Sequence, residues 1–529
     1  MFVRMLRRLA LAAFVAAAAN FVLLAFIEHY DFRFGPIHLA ATYLFKPLLY
    51  LNAAFLIALA LQGRPQILER EKAEVTSLKP GLTFWVASVA IIAAVYGISF
   101  QINLDFPDWT HRLITTREKP WSFFTNRQYD GFYRPLTFLS LWVDNQTFGP
   151  ALWGYHVQNL LLHLLNGFLV ARLAFRLGLG RVAAQWAGIA FLAVPASFEA
   201  VIWPGARFDL MAAAFTFFAL ERALAGSVLI STAAYCLGVL CKESAYAYPL
   251  LAGALFVLRG PLSLWLPRKR WFQIFYATLG ATIVLVLIRI AVYGNLGGYP
   301  DPATGGNVNF VLHTKTFSSV ATRMPAALFL INSGAGLPVW LRIILIAYTG
   351  FLAFMLFAQA SAGKRNVLLL LPFLTVVPML NMFGWMTQFA QQGRYLYHPV
   401  IWIVFVLVCG LRSVRFSSIL FVAWVVIMAG AALFNTLVYV RMIRKVSAAV
   451  AEAAAVCKSA NCCRTLVLRD VPRDLYGAFY FQYQVVHNLE RELPGVSIMA
   501  TGTAPADSQC TVELRWRDQN TWSEAMPQK

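Results

Sequence analysis

Long apolar blocks alternate with short polar clusters along most of this chain. Each block approaches the roughly 20 residues that an α-helix needs to cross about 30 Å of hydrocarbon. The pattern predicts about thirteen membrane spans, near residues 9–27, 37–61, 82–100, 153–175, 183–203, 208–221, 228–241, 244–258, 272–293, 338–358, 366–384, 397–411 and 417–440. Two longer segments, 101–150 and 294–337, read as outer loops. The first contains an aromatic-rich stretch, WSFFTNRQYDGFYRPLTFLSLW, expected to form a short helix lying flat in the interface.

After Tyr439 the apolar blocks stop. Residues 446–529 read as an Ala-rich helix, a strand-like TLVLRDV, an amphipathic LYGAFYFQYQVVHNLER and a second strand-like CTVELRW. The expected fold class is an all-α polytopic membrane protein over 1–445, followed by a small α/β soluble domain over 446–529. No internal repeat is evident.

Composition supports a bilayer as the solvent: of 529 residues, 59% are hydrophobic and only 13% charged, with a mean hydropathy of +0.63. The opening MFVRMLRRLA and the run after it read as a retained signal-anchor helix, because no convincing cleavage site precedes the acidic cluster Glu28 to Asp31. The formal charge of +20 does not indicate a nucleic-acid partner, since the basic residues sit mainly in short loops instead of on one surface. With a cytoplasmic N-terminus, alternate loops collect Arg4, Arg7 and Arg8, then Arg64, Arg70, Lys72 and Lys79, then Arg176 and Arg181, then Arg259, Arg268, Lys269 and Arg270, then Lys364 and Arg365, then Arg412 and Arg415. This is the positive-inside pattern. It places the C-terminal domain on the opposite side, the periplasm if the membrane is a bacterial inner (cytoplasmic) membrane. Four of the seven cysteines (Cys457, Cys462, Cys463 and Cys510) lie in that domain, where an oxidising compartment allows pairing. Adjacent Cys462 and Cys463 are not expected to bond each other.

Ionisable groups inside or at the edge of a membrane cost several kcal/mol unless paired or hydrated, so they direct the search for function. The span at 153–175 carries His156, Asn159, His163 and Asn166, which fall within a stripe about 80° wide at 100° per residue. Such a stripe either bonds neighbouring helices or lines a hydrated cavity open to the outer side. Glu199, Arg207 and Asp209 bring opposite charges to one outer turn, where they form either a structural ion pair or a site. Lys242 and Glu243 repeat the theme, and QQGRYLYHP adds Arg394, Tyr395, Tyr397 and His398. Topology delivers these cations to the same side.

A lipid phosphate at the outer leaflet requires Arg or Lys for its oxygens, aromatic surfaces for a sugar or prenyl group, and a carboxylate to accept a proton from a nucleophile. Asp105 and Asp108 in NLDFPDW are the carboxylates best placed for the last role; an isolated Asp there otherwise serves as a loop start or helix N-cap. No nucleotide-binding glycine loop, metal constellation or Ser-His-Asp order is present. No cofactor is therefore required, although the carboxylates of the first loop are compatible with a divalent ion.

In order, LDFPDW, YRPLTFLSLWVDNQTFG, GYHVQNLLLHLLNG, VPASFEAVIWPGARFDL, CKES and GRYLYHP resemble segments of the GT-C superfamily of lipid-phosphosugar glycosyltransferases. The likeness is closest to the protein O-mannosyltransferase-like branch that includes the transmembrane-and-TPR mannosyltransferases, and it spans roughly residues 83–400. The resemblance implies an inverting transfer of a monosaccharide, mannose or another hexose, from a polyprenyl-phosphate donor to a hydroxyl of a protein, glycan or lipid acceptor. It assigns Asp105 or Asp108 as general base. Arg134, Arg207, Lys242 and Arg394 would face the phosphate, and His156, Asn159, His163, Glu199, Asp209, Tyr395 and Tyr397 would shape the sugar or acceptor pocket. Pro107 stands where the family pattern has the first acid of an adjacent pair, and no TPR array follows the spans. Two rival readings are a ligase or polymerase acting on a lipid-linked glycan, and a transporter or flippase with polar positions through the full membrane depth.

Overall fold

The computed structural model describes residues 30–34, 37–41, 78–102, 120–126, 132–149, 151–257, 268–294, 393–411, 417–460, 463–472, 475, 481–500, 511–517 and 522–525. Two N-terminal strands, β1 (Tyr30–Phe34) and β2 (Ile37–Ala41), pair antiparallel. The helices that follow are α1 (Leu82–Tyr96), α2 (Ser122–Thr125), α3 (Pro135–Phe148), α4 (Leu152–Arg176), α5 (Arg181–Ala193), α6 (Phe198–Ile202), α7 (Arg207–Leu224), α8 (Val228–Val239), α9 (Tyr248–Val257), α10 (Arg268–Tyr293), α11 (Val400–Leu411) and α12 (Ser417–Ser459). A 3-10 turn, Gly97–Gln101, extends α1.

Among the described residues, four helices are long and apolar enough to cross a membrane: Leu82–Gln101, Leu152–Arg176, Lys269–Tyr293 and Ser417–Ser459. Their outward faces carry exposed apolar side chains. Helix α10 buries Trp271 and Ile274 but exposes Tyr276, Leu279, Ile283, Val284 and Leu287. Such a row of exposed apolar side chains is unfavourable in water and suits a lipid-facing surface.

The segment after α4 bends where proline requires it. Pro195 and Pro204 lack amide hydrogens, and each disfavours helical backbone in the residue before it. Val194 (φ −68°, ψ 129°) and Trp203 (φ −94°, ψ 112°) are accordingly extended. The result is a span bent by 54° between Arg181–Ala193 and Pro195–Ile202. The bend leaves Glu199 on the short α6 and sets Arg207 at the start of α7.

Helix α4 packs on α5 and α7, and α7 packs on α8. The α4–α5 crossing is close because both contact positions are glycine. A methyl group built on Gly188 would stand 2.5 Å from the Gly167 carbonyl oxygen, nearer than a real Cβ approaches backbone. Small residues let membrane helices approach in this way.

The C-terminal domain contains β3 (Thr465–Arg469), α13 (Phe481–Glu492), β4 (Ser497–Met499), β5 (Thr511–Trp516) and β6 (Trp522–Ala525). The sheet order is β4-β3-β5-β6, with β4 and β5 parallel to β3 and β6 antiparallel to β5. Phe481, Val485 and Leu489 recur on the buried face of α13 at helical spacing. The domain is built onto α12: Trp522 donates its indole N–H to the Ala449 carbonyl at 2.8 Å. A disulfide, Cys457–Cys463, links the end of α12 to the approach to β3. Cys462 and Cys510 lie outside the described residues.

Several expectations are corrected. Strand β2 occupies the first five residues of the span expected at 37–61. Helices α7, α8, α9 and α11 fall on expected spans but have only 18, 12, 10 and 12 residues. Among the described residues, four helices are long and apolar enough to cross a membrane, or five if the bent pair is one span. Helix α12 runs 43 residues and carries both the span expected at 417–440 and the Ala-rich helix expected after residue 446. The aromatic-rich part of the first loop does form a helix, α3, with Phe138, Leu141 and Asp144 buried. The expected spans at 9–27, 338–358 and 366–384 lie outside the described residues.

The glycine contact gives a direct check. Gly188→Ala is expected to lower stability by about 1–3 kcal/mol through overpacking against backbone. Gly280→Ala, where nothing lies within 4 Å of the added methyl, should leave it unchanged. Thermal unfolding of both variants in detergent measures the difference, and equal melting temperatures would contradict the crossing.

Candidate functional site

The site begins where α3 meets the α8–α9 connection. Pro135 opens α3 at a position that needs no amide hydrogen. The next amide, Leu136, donates to the Leu240 carbonyl at 3.1 Å, and Thr137 Oγ1 donates to the Cys241 carbonyl at 3.2 Å. These bonds bring Arg134 beside Lys242 and Glu243. Tyr293, at the end of α10, donates its hydroxyl to the Phe132 carbonyl at 3.0 Å and closes the same corner.

Arg134 places two guanidinium nitrogens 3.1 and 2.8 Å from Glu243 Oε2, while Arg289 of α10 reaches Glu243 Oε1 at 3.4 Å. Lys242 pairs with Asp209, in the first turn of α7. Arg394 pairs with Glu199, its Nη1 lying 2.5 Å from Oε1, and its backbone amide donates to Oε2 at 3.3 Å.

Two aromatic rings join these pairs into one cluster. The Phe208 ring carries Arg134 at 4.5 Å and Lys242 at 4.8 Å. Tyr395 carries Lys242 at 4.8 Å and Arg394 at 5.2 Å. Trp203 lies under Arg394 at 4.5 Å and Phe132 under Arg134 at 4.3 Å. Cations over aromatic faces gain from the ring quadrupole, more so away from water. Four cations (Arg134, Lys242, Arg289 and Arg394) thus meet three carboxylates, leaving one formal positive charge in the described cluster.

Lys242 and Glu243 sit in the connection, outside both α8 and α9. Burial pulls the Lys242 ammonium down to about 8; Asp209 opposes this, and Arg134 and Arg394 add to it. Burial alone would raise the Glu243 carboxyl, but Arg134 and Arg289 outweigh it and hold the group below the ordinary glutamate range.

Arg207 has different surroundings. Its side chain is wholly enclosed. It pairs with Asp144 of α3 and donates to Asn159 Oδ1 at 2.9 Å, Ser140 Oγ at 3.2 Å and the Tyr155 carbonyl at 3.1 Å. It pins α3, α4 and α7 together. The three charges expected to meet at one outer turn do not pair among themselves: Glu199 pairs with Arg394, Asp209 with Lys242, and Arg207 with Asp144.

The polar stripe on α4 is buried and bonds mainly to neighbouring helices. Asn159 Nδ2 donates to the Val201 and Trp203 carbonyls at 3.3 and 3.1 Å. His163 Nδ1 lies 2.7 Å from the Tyr397 hydroxyl, which also accepts from Asn166 at 3.1 Å. His156 packs edge-on against Phe100, beneath the end of α1. Among the described residues, the stripe is buried beneath the cation cluster, with Asn159, His163 and Asn166 bonded to neighbouring segments.

Of the residues predicted from sequence, Arg134, Lys242, Arg394, Glu199, Asp209 and Tyr395 come together. Arg207, Asn159, His163 and Tyr397 form the layer beneath. Asp105 and Asp108 lie outside the described residues, which break off three positions before Asp105, at Ile102. Sequence reasoning did not select Arg289, Asp144 or Phe208 for the site. Arg289 carried a signal, as a lone cation in an apolar run; Phe208 carried none. Among the described residues, no group of three or more His, Cys, Asp or Glu side chains has the arrangement to hold a metal ion.

No protein-family model matches the chain, and no curated protein matches it in sequence. Among solved structures, the chain is similar to the Archaeoglobus fulgidus oligosaccharyltransferase, determined in complex with zinc and sulfate. The match has 12% sequence identity and a TM-score of 0.37, and covers 79% of this chain and 62% of that one. The chain thus spans less than two thirds of that protein's length.

Glu243 holds two cations on separate elements, so Glu243→Gln is expected to destabilise the protein by about 3 kcal/mol or more, as breaking a buried pair does. Adding Arg289→Met should recover part of that loss. Thermal unfolding in detergent measures both, and wild-type stability in the single variant would show that the bridge contributes nothing.

Proposed function

We propose that the chain is an inverting glycosyltransferase that takes a monosaccharide, mannose or another hexose, from a polyprenyl-phosphate donor to a hydroxyl acceptor on the outer face of the membrane. The observation that carries this reading is the cation cluster: Arg134, Lys242 and Arg394 come from three separate segments and share the Phe208 and Tyr395 faces. A phosphate leaving group gathers negative charge as its bond to the anomeric carbon breaks, and preorganised cations in a water-poor setting stabilise that charge strongly. Guanidinium forks also match phosphate geometry. The rings of Trp203, Phe208 and Tyr395 supply apolar surface for a sugar or prenyl unit.

The reaction is a single displacement. Asp105 or Asp108 accepts the proton of the acceptor hydroxyl. The acceptor oxygen forms a bond to the anomeric carbon from the face opposite the phosphate, and the electron pair of the breaking carbon–oxygen bond leaves on the phosphate. Configuration inverts, and the products are the glycoside and the polyprenyl phosphate. Glu199, Asp209 and Glu243 hold the cations in place, and Arg207 anchors the floor.

Removing the true base should lower turnover by on the order of 10²-fold or more without unfolding the protein. The assay uses purified protein and compares lipid-linked monosaccharides with lipid-linked oligosaccharides, which separates the transferase from a ligase or polymerase. If Asp105→Asn and Asp108→Asn each retain wild-type turnover, the assignment of the base is wrong.

A pH profile tests Lys242. Raising the pH through about 8 removes its charge, so donor affinity should fall across that range. Lys242→Arg keeps the charge and should abolish this alkaline fall. A Lys242→Arg profile identical to wild type would remove Lys242 from donor binding.

A further inference from the structure

A second charged cluster lies at the other end of α4 and α7. The two helices run in the same direction away from the site, from Asn159 and Arg207 to Arg172, Arg176 and Glu221. Thirteen residues along α4 separate Asn159 from Arg172, a distance of roughly 20 Å at 1.5 Å per residue. This cluster therefore stands near the opposite membrane edge from the proposed transfer site.

Its centre is the Glu221 carboxylate, only 1% exposed. Arg172 Nη2, Arg176 Nε and Arg222 Nη2 approach Oε1 at 2.9, 3.1 and 2.6 Å, and Arg222 Nε meets Oε2. Three guanidinium groups on one carboxylate leave a formal charge of +2. One carboxylate pair would suffice to hold the helices, so two of the cations exceed structural need.

The arginine side chains are 19, 10 and 22% exposed, so the cluster reaches the surface while its carboxylate does not. Arg172 Nε is buried without a hydrogen-bond partner. Such a donor is costly unless something accepts its hydrogen. Phe168 lies under Arg172 and Phe218 under Arg222, each at 5.6 Å, giving the guanidinium groups an apolar footing. At a membrane edge, a surface that is apolar below and doubly positive above matches a phosphate headgroup with its acyl chains.

We propose that Arg172, Arg176 and Arg222 bind the phosphate of an anionic phospholipid in the leaflet opposite the transfer site. Glu221 sets the spacing of the three cations and is itself shielded from the phosphate. The site is independent of the donor site, so its test needs no turnover.

The experiment places full-length protein in nanodiscs of mixed phosphatidylcholine and phosphatidylglycerol and measures retained lipid by native mass spectrometry. Wild type should retain phosphatidylglycerol in excess of its share of the bilayer. The double variant Arg172→Gln, Arg222→Gln keeps Arg176 on Glu221 and should lose that excess, by about fivefold for each arginine removed. Arg172→Lys, Arg222→Lys preserves charge and should retain most of it, with melting temperatures confirming that each variant is folded. Equal enrichment in wild type and the Gln variant would overturn the proposal, as would equal losses in the Gln and Lys variants. Titration of inorganic phosphate in phosphatidylcholine-only nanodiscs separates the two sources of the anion. Saturable stabilisation by free phosphate, without phosphatidylglycerol enrichment, would replace the lipid headgroup with a soluble ion.

Discussion

A charge buried among apolar helices must be paired, and in this chain that requirement organises one end of the bundle. Four buried cations each find a carboxylate on a different segment: Arg134 on Glu243, Lys242 on Asp209, Arg394 on Glu199 and, in the layer beneath, Arg207 on Asp144. An unpaired charge at any of these positions would carry a desolvation penalty of several kcal/mol. The pairs therefore fix which segments meet. They fasten α3 to the α8–α9 connection, α7 to that same connection, and the turn before α11 to the short helix α6.

The bent span is what makes this pairing geometrically available. Pro195 and Pro204 interrupt the helix on either side of Glu199, so the carboxylate leaves a five-residue helix beside the turn that carries Arg394. Beneath it, Tyr397, His163 and Asn166 exchange hydrogen bonds inside the bundle. The site thus has a rigid floor of neutral polar contacts and a charged layer above them. Preorganisation of this kind lets cations meet a developing phosphate charge without reorganising at the moment of reaction.

Much of this was legible in the sequence, for identifiable reasons. Helices α1, α4 and α10 follow from apolar runs of the right length, whereas the break at Pro195 was missed because 183–203 was read as one apolar span, although proline chemistry accounts for it. Arg289, inside an apolar run, was not selected, whereas Arg134, Lys242 and Arg394 were legible because charges at the ends of apolar blocks are costly and therefore conspicuous. Their pairing was not. Glu199, Arg207 and Asp209 are neighbours in sequence, yet each takes a partner far along the chain, because the bend and the start of α7 point them to different elements. Strand β2 was hidden because IHLAA continues the apolar run that follows it. The continuity of α12 was hidden because its composition changes from apolar to Ala-rich while its helical propensity does not.

Two positively charged clusters stand at opposite ends of α4 and α7, and the proposed transfer site is one of them. The most direct test of that site is a structure of the protein in nanodiscs with a polyprenyl-phosphate monosaccharide bound. The expected result is a phosphate among Arg134, Lys242 and Arg394, with Asp105 or Asp108 facing the anomeric carbon. A phosphate held elsewhere, or both acids remote from the sugar, would contradict it.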